Sequence, residues 1–212
     1  MDSDTNDGTR PHPTRLHVGC GTQRLEGWIN VDIRLSPQVD VVSDVTRGLH
    51  FLEANVIYAE HFLEHLTVPQ AVGFLGECHR VLTHNGILRL STPNLDWVWQ
   101  THYGFHGNDE QRMSMAVSLN RAFCGWGHKF LWNRSALDRL LLACGFTDIR
   151  WERYGESTRE FLRDLERHET YGDSSDLPHV LIAEAGKGAK RPDELGIFTK
   201  YMRENLLDHI IA

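Results

Sequence analysis

A glycine turn between two short apolar strands limits what this chain can fold into. The segment Leu16–Val18 predicts a strand, and Gly19-Cys20-Gly21 follows it directly. A second apolar strand, Trp28–Asp32, ends in a carboxylate eleven residues after Gly21. Glycine lets the backbone turn tightly and approach a ligand closely. An acid at the end of the second strand accepts hydrogen bonds from a ribose diol, so the pattern predicts a site for an adenosine-containing ligand.

The spacing of this pattern differs from that of the dinucleotide fingerprint. That fingerprint needs a third glycine at the start of a helix and an acid about 20 residues further on. Here Arg24 occupies the third glycine position, and Asp32 comes 13 residues after Gly19. The short gap leaves no room for a full crossover helix between the two strands. A Walker loop is absent too, because no Gly-Lys-Ser/Thr occurs in the sequence.

The chain as a whole alternates short apolar strands with helical segments. β-Branched and aromatic runs predict strands, and apolar residues at helical spacing predict helices. Alternation of this kind is typical of an α/β fold with a parallel sheet and crossover helices. Asn85-Gly86 is predicted to end one helix, and Ser135 to cap another. The further predicted strands are 39–42, 55–59, 87–91, 146–151 and 180–183, and the predicted helices are 68–82, 109–123, 135–144, 158–168 and 194–211.

The chain is predicted to form one domain with a tail at each end. Residues 1–14 are polar and predict a disordered N-terminal tail, residues 15–187 the ligand-binding domain, and 188–212 a C-terminal helical extension. Residues 93–131, rich in histidine, tryptophan and glycine, read as an insertion at the carboxyl edge of the sheet, where open α/β folds bind ligands. The apolar stripe of the last helix also suggests a homodimer.

Charge and cysteine usage narrow the class of protein. The net charge is −7 without a long basic run, which argues against a nucleic-acid partner. The four cysteines form no CxxC pair, as expected of reduced thiols. No apolar run approaches the ~18–20 residues of a membrane helix. These features favour a cytoplasmic enzyme that acts on a small molecule and binds no membrane.

Several motifs occur in an order that resembles a known family. After the glycine turn and Gly-Trp-x-Asn-x-Asp come a strand ending at Asp44, the segment Glu60–Leu66 with its Leu-Glu-His-Leu string, Glu77–Leu88, and Cys144-Gly145-Phe146. Together they resemble the class I S-adenosylmethionine (SAM) dependent methyltransferases, most of all a small bacterial subgroup with Gly-Cys-Gly and Leu-Glu-His-Leu. The resemblance covers about residues 15–185. It implies a Rossmann-like single domain with a mostly parallel seven-stranded sheet and an antiparallel last strand.

The same resemblance implies which residues contact SAM. It assigns the methionine part to Gly19 and Gly21, the ribose to Asp32, the adenine to Asp44 and Val45, and the region beneath the methionine and sulfonium to Glu60 and His61. Cys20 lies in the short loop that replaces the first helix and is expected to add contacts of its own. Two alternatives remain open, since Asp32 and Asp44 can each cap a turn instead.

The implied reaction is methyl transfer to a small molecule or glycan, with a hydroxyl as the expected acceptor. A neutral histidine can take the hydroxyl proton, and His61 and His128 are the candidates. Asn94 and Asp96 can orient the acceptor, although a Pro-Asn turn with Asp96 as a helix cap fits equally. Trp97 and Trp126 can stack on a sugar or ring, and a packed aromatic lid or dimer contact is the alternative.

A rival interpretation comes from His61-Phe62-Leu63-Glu64-His65, which matches the H-x-x-E-H motif of inverted zinc peptidases. On a helix, His61 and His65 would share a face, and Glu64 would act as the base. The segment directly follows a strand, however, and Leu-Glu-His-Leu is common at that place in the resembled family without a metal. We therefore expect no metal, and keep a zinc hydrolase and a non-catalytic SAM-fold binding protein as alternatives.

Overall fold

A single sheet of seven strands lies at the centre of the molecule. The computed structural model describes residues 13–167 and 176–210. Its strands are β1 (Arg15–Val18), β2 (Ile29–Asp32), β3 (Val41–Val42), β4 (Ala54–Glu60), β5 (Leu82–Pro93), β6 (Phe146–Glu152) and β7 (Val180–Lys187). Their order is β3-β2-β1-β4-β5-β7-β6. The first five strands are parallel, and β7 runs antiparallel to both β5 and β6. The predicted Rossmann-like sheet, mostly parallel with an antiparallel last strand, is confirmed.

Five α-helices accompany the sheet among the described residues: α1 (Val68–Val81), α2 (Leu95–His102), α3 (Asp109–Cys124), α4 (Arg134–Ala143) and α5 (Pro192–Asn205). Helix α1 begins in a capping box, in which Thr67 and Gln70 each bond the other's backbone N–H. Within the described residues, none of these helices combines the length and apolarity that a membrane crossing requires.

Helices α1, α4 and α5 cover one face of the sheet. Ile57 and Ala59 of β4 point to this face and belong to the main apolar core. Phe74 of α1 is fully buried in the same core, as are most of the leucines of α4. Each large apolar side chain buried there contributes about 1.5–3 kcal/mol to folding. Phe198 and Met202 of α5 join this core, so the C-terminal helix packs on the sheet domain.

The opposite face is covered by an irregular segment, 153–167. Val56 and Tyr58 alternate with the core residues of β4 and pack instead with Trp28, Leu162 and Leu165. The predicted helix over 158–168 is wrong within the described residues, because only Glu160–Leu162 forms a 3-10 turn. Its end, residue 168, lies outside them, as do 1–12 of the predicted tail. The segment follows the sheet because its polar groups bind side chains of the strands.

Arg89 in the middle of β5 is the main anchor of that segment. Its guanidinium donates to both carboxylate oxygens of Glu166, at 2.8 and 2.9 Å, and to the backbone oxygen of Glu156 at 3.1 Å. It also pairs with Glu184, which lies opposite it on β7 and accepts from Arg159 as well. All three groups at the centre of the network are buried. In segment 153–167 these long-range bonds take the place of the backbone bonds that a helix would form.

Other element boundaries differ from the sequence prediction for local reasons. Leu82 pairs with Ala54 and starts β5, so Asn85-Gly86 lies inside the strand and does not end α1. Asn133 caps α4 in place of Ser135. Helix α2 was not predicted, and the last helix ends at Asn205 before a short 3-10 turn.

Candidate functional site

The glycine turn lies at the carboxyl edge of the sheet, between β1 and β2. Gly19 and Gly21 have positive φ angles of 68° and 56°, which glycine adopts without strain. Gly19 and Cys20 donate their N–H groups to the carbonyl of Val31, at 2.8 and 3.2 Å. A Cβ on Gly19 would lie 2.5 Å from the Phe62 ring, whereas one on Gly21 would meet open space. The turn therefore has one packed glycine and one glycine that faces open space.

Asp32 at the end of β2 is oriented by two backbone groups. Its Oδ2 accepts from the Gly21 N–H and its Oδ1 from the Arg34 N–H, both at 2.9 Å. Each carboxylate oxygen retains a second lone pair, and the side chain is partly exposed. Asp32 thus presents acceptors to the open space beside Gly21, which is where a diol is expected.

The short loop between β1 and β2 is organised by the buried amide of Asn30. Asn30 Nδ2 donates to the carbonyls of Leu25 and Trp28 and to Asp40, while its Oδ1 accepts from the Leu25 N–H. Asp40 also pairs with Arg24 at 2.7 Å. The two bonds from Asn30, followed by the one from Arg24, lower the pKa of Asp40 to about 2. Hydrogen bonds to side chains thereby replace the helix that usually joins such strands.

The Cys20 side chain faces inward from this loop. It is fully buried, and burial raises the pKa of its thiol to about 11. Its backbone follows the turn, but the thiol itself lies in the core. Of the contacts predicted for Cys20 with a cofactor, those from its backbone groups therefore remain possible.

Asp44 and Val45 follow β3. Asp44 caps the 3-10 turn Val45–Arg47, accepting from the Thr46 N–H at 3.1 Å and from the Thr46 hydroxyl at 2.6 Å. The hydroxyl bond is the largest cause of the lowered pKa of Asp44. Val45 is buried in the main core. The capping alternative therefore describes Asp44 in the structure, and its contact with adenine stays a prediction.

Glu60 ends β4 as a buried carboxylate. It accepts from the backbone N–H of Arg167 at 2.7 Å and from Nε of the same residue at 3.0 Å. This ion pair ties the covering segment 153–167 to the edge of the sheet. Neither pattern nor spacing in the sequence connected the two residues, which are 107 positions apart.

His61 turns the chain sharply after β4. Its φ of 45° is unusual for a residue with a side chain, and such strain is commonly found at functional sites. Its N–H donates to the Ser91 carbonyl at 3.0 Å, and its Nδ1 lies 3.1 Å from Oε1 of Glu64. Residues Leu63–His65 form a single 3-10 turn and not an α-helix. The helical face assumed for the zinc-hydrolase interpretation is therefore not formed.

A cluster of polar side chains surrounds the fully buried Glu64. Its Oε2 accepts from the Thr92 hydroxyl at 3.0 Å, and its backbone carbonyl accepts from Lys129 and Phe130. This backbone pairing brings the end of the insertion, with His128, beside His65. The two imidazole rings contact edge to face, with centroids 5.1 Å apart. The sequence contained each of these residues, but not the pairing that brings them together.

The candidate acceptor residues separate into two groups. Asn94 is buried and caps α2, and its Nδ2 donates to the Pro178 carbonyl at 2.8 Å. Asp96 accepts weakly from Asn133 at 3.3 Å, and Trp97 packs against His102 and His179. Asn94, and not Asp96, therefore caps α2, and the contact of Asn94, Asp96 and Trp97 with an acceptor stays a prediction.

Trp126 belongs to the second group, near His128. It is 71 % exposed, has a φ of 54°, and its ring lies 5.7 Å from the imidazole of His128. An exposed aromatic side chain beside a histidine at the edge of the sheet is suited to cover a bound molecule. Trp126 thus lies next to His128, whose ring contacts His65 in the polar cluster around Glu64.

Comparison with known proteins supports the architecture. No family model matches the sequence, and no curated protein does. Many solved structures resemble the fold, among them the following three. A SAM-dependent methyltransferase from Archaeoglobus fulgidus has 18% identity and a TM-score of 0.51, over 83% of this chain and 87% of that one. A SAM-dependent methyltransferase from Thermotoga maritima, described as a possible histamine N-methyltransferase, has 14% identity and a TM-score of 0.52, over 84% and 83%.

The third structure is a possible exported protein from Bordetella parapertussis, with 12% identity and a TM-score of 0.52. The match covers 84% of this chain but 62% of that protein. At such identities the comparisons establish the fold and not the activity. The chain has the fold seen in SAM-dependent methyltransferases.

Proposed function

We propose that this protein transfers a methyl group from SAM to a hydroxyl of a small molecule or glycan. The observation that carries the proposal is the pairing of Gly21 with Asp32 at the carboxyl edge of the sheet. The N–H of Gly21 orients the carboxylate of Asp32, while the space beside Gly21 is open. This is the edge at which α/β folds bind their ligands.

The residues around the turn fit SAM. The backbone of Gly19 and Gly21 would hold the methionine part, and the remaining lone pairs of Asp32 would accept from the ribose hydroxyls. Asp44 and Val45 would border the adenine. When bound, SAM supplies an electrophilic methyl group on a sulfonium, and its transfer leaves the C–S electron pair on sulfur to give S-adenosylhomocysteine.

The protein's own contribution to such a transfer is alignment of the acceptor and exclusion of water. Trp126 and the insertion 93–131 are suited to cover the acceptor. His61 and His128 are the candidate groups to receive the hydroxyl proton. The net charge of −7 favours a small molecule over a nucleic acid. A cytoplasmic location stays a prediction.

Calorimetric titration with SAM tests the cofactor assignment. Wild-type protein is expected to bind SAM, and Asp32→Ala is expected to bind it about 10- to 100-fold more weakly. That range corresponds to one charge-assisted hydrogen bond of about 1.5–3 kcal/mol. Asp193→Ala, an exposed carboxylate on α5, is the matched control and should bind as wild type. Absence of SAM binding, or equal affinity in Asp32→Ala, would refute the assignment.

Turnover is tested separately by measuring S-adenosylhomocysteine release with a panel of hydroxylated small molecules and glycans. Release that depends on the acceptor is expected for a methyltransferase. Binding of SAM without release on any acceptor would instead favour a binding protein that kept the fold.

A further inference from the structure

Glu64, His65 and His128 form a group whose potential ligand atoms all lie within 4.8 Å of one another. Glu64 and His65 come from the turn after β4, and His128 comes from the end of the insertion. We propose that these three side chains bind a divalent transition-metal ion of the zinc type, with at least one coordination position left open. The set differs from the H-x-x-E-H interpretation because His128 takes the place of His61.

The environment of Glu64 favours a nearby cation. The side chain is fully buried, and burial of a carboxylate is costly unless a positive group compensates it. Within the described residues, no lysine or arginine pairs with it. Its Oε1 lies 3.1 Å from Nδ1 of His61 but, in that same part of the chain, receives no hydrogen bond of good geometry. One buried oxygen therefore remains available to a metal.

His128 is oriented as metal-binding histidines usually are. Its Nδ1 lies 2.8 Å from the carbonyl oxygen of Ala122, which can only accept. Nδ1 must therefore carry the proton, and Nε2 of the neutral ring presents its lone pair. A backbone carbonyl that fixes the tautomer in this way is a recurrent outer partner of metal ligands.

Two imidazoles and one carboxylate select the class of ion. This ligand set occurs at catalytic zinc sites, where a fourth position holds water or substrate. Bonds of 2.0–2.1 Å in a tetrahedron separate the ligand atoms by about 3.4 Å, so the side chains need to move inward by roughly one ångström. Imidazole is a poor ligand for Mg²⁺, which prefers oxygen.

The role of the ion rests on the proposed function. It would lie beside His61 and beneath Trp126, on the side of the sheet edge where the acceptor is expected. An open position would bind an acceptor oxygen and orient it, which narrows the substrate class to molecules with a hydroxyl that can coordinate a metal. With His128 as a ligand, His61 would be the remaining candidate group to receive the hydroxyl proton. The ligand group itself does not depend on SAM.

The test uses the full chain without a histidine tag, stripped with a chelator and then titrated with Zn²⁺ by calorimetry and with Co²⁺ by visible absorption. One ion per chain is expected in the wild type. His65→Asn and His128→Asn should each weaken binding at least 100-fold, more than loss of an outer partner does. His106→Asn, an exposed histidine of the same insertion, is the matched control and should bind as wild type.

Three results would overturn the proposal: no Zn²⁺ binding by the folded wild type, unchanged binding in both His65→Asn and His128→Asn, or Mg²⁺ binding as tight as that of Zn²⁺. Circular dichroism establishes that each variant is folded. Since these titrations contain no SAM, their failure is distinguishable from failure of the SAM titration. Zinc binding without SAM binding would leave the site in place and refute only its role in methyl transfer.

Discussion

His17, in the middle of β1, links stability to pH. The side chain is fully buried, its ring stacks on Tyr58 with centroids 5.3 Å apart, and its Nδ1 donates to Oδ1 of Asn30 at 3.1 Å. The direction of that bond follows from Asn30, whose Nδ2 is occupied by three acceptors. Within the described part of the chain, Nε2 of His17 has no hydrogen-bond partner. Protonation would therefore place a buried N–H where no acceptor is available.

The pKa of His17 is lowered from 6.5 to about 4, chiefly by burial. Arg167 lowers it further, while the Asn30 bond and the carboxylates Glu60 and Asp32 act in the opposite direction. Because the unfolded chain binds this proton more tightly, the free energy of unfolding falls as the pH drops from 6.5 towards 4. The loss is about 2 kcal/mol at pH 5 and approaches about 3.4 kcal/mol below pH 4, at about 1.36 kcal/mol per pH unit.

Substitution His17→Gln removes the titrating group and retains an amide N–H for Asn30. At pH 8 the variant is expected to be about 1 kcal/mol less stable, because the ring contact with Tyr58 is lost. Between pH 8 and pH 5 its free energy of unfolding should fall by about 2 kcal/mol less than that of the wild type. Urea unfolding followed by circular dichroism measures both, and the exposed His84→Gln serves as the control. Parallel pH curves for wild type and His17→Gln would refute the reasoning.

Two further pairs of variants test the packing. Gly19→Ala should destabilise more than Gly21→Ala: both positions cost about 1–3 kcal/mol in backbone strain, but only the first adds a clash with Phe62, of about 1–3 kcal/mol. Equal shifts in urea unfolding would contradict this. Arg89→Met should cost about 3–5 kcal/mol, because it removes the cation paired with the buried carboxylate of Glu166 and leaves Glu184 with Arg159 as its partner. Arg24→Met, at a surface pair, should cost under about 1 kcal/mol. Similar losses in the two arginine variants would contradict the importance of burial.

Much of the sheet could be predicted because residue types within and beside each strand mark where the strand begins and ends. The apolar run Leu16–Val18 ends at glycines, and Asp32 ends the next run, so both strands and their shared edge follow from residue type alone. Helix α1 was predicted from its apolar spacing, with its end misplaced by one residue. That end depends on the pairing of Leu82 with Ala54, which are distant in sequence.

The segment 158–168 shows why other parts could not be predicted. Its apolar spacing is helical, yet Glu166 binds Arg89 and Arg167 binds Glu60 across the sheet. Ion pairs between residues so far apart leave no local pattern. Helix α2 is missing from the predicted helices for a local reason. Its start is marked by the cap Asn94, which belongs to a Pro-Asn sequence that also predicts a turn.

The residues of the candidate site also separate into those that are close in sequence and those that long-range pairing brings together. Gly19, Gly21 and Asp32 could be predicted because they lie within one strand–turn–strand unit. The group around Glu64 could not, because Glu64 meets His128 only through backbone bonds between the β4 turn and the end of the insertion. The H-x-x-E-H string contains Glu64 and His65 of the proposed metal site, whereas the third proposed ligand, His128, comes from the end of the insertion.

Segment 153–167 supports both the sheet and the turn after β4. In the described part of the chain, no helix joins β1 to β2, so that face of the sheet depends on segment 153–167 for its cover. The last residue of that segment described, Arg167, bonds Glu60, and Glu60 directly precedes the strained His61. Strain at His61 persists only while its neighbours hold the backbone. The ion pair of Glu60 with Arg167 is therefore one of the contacts that keep the turn after β4, and with it Glu64, in place.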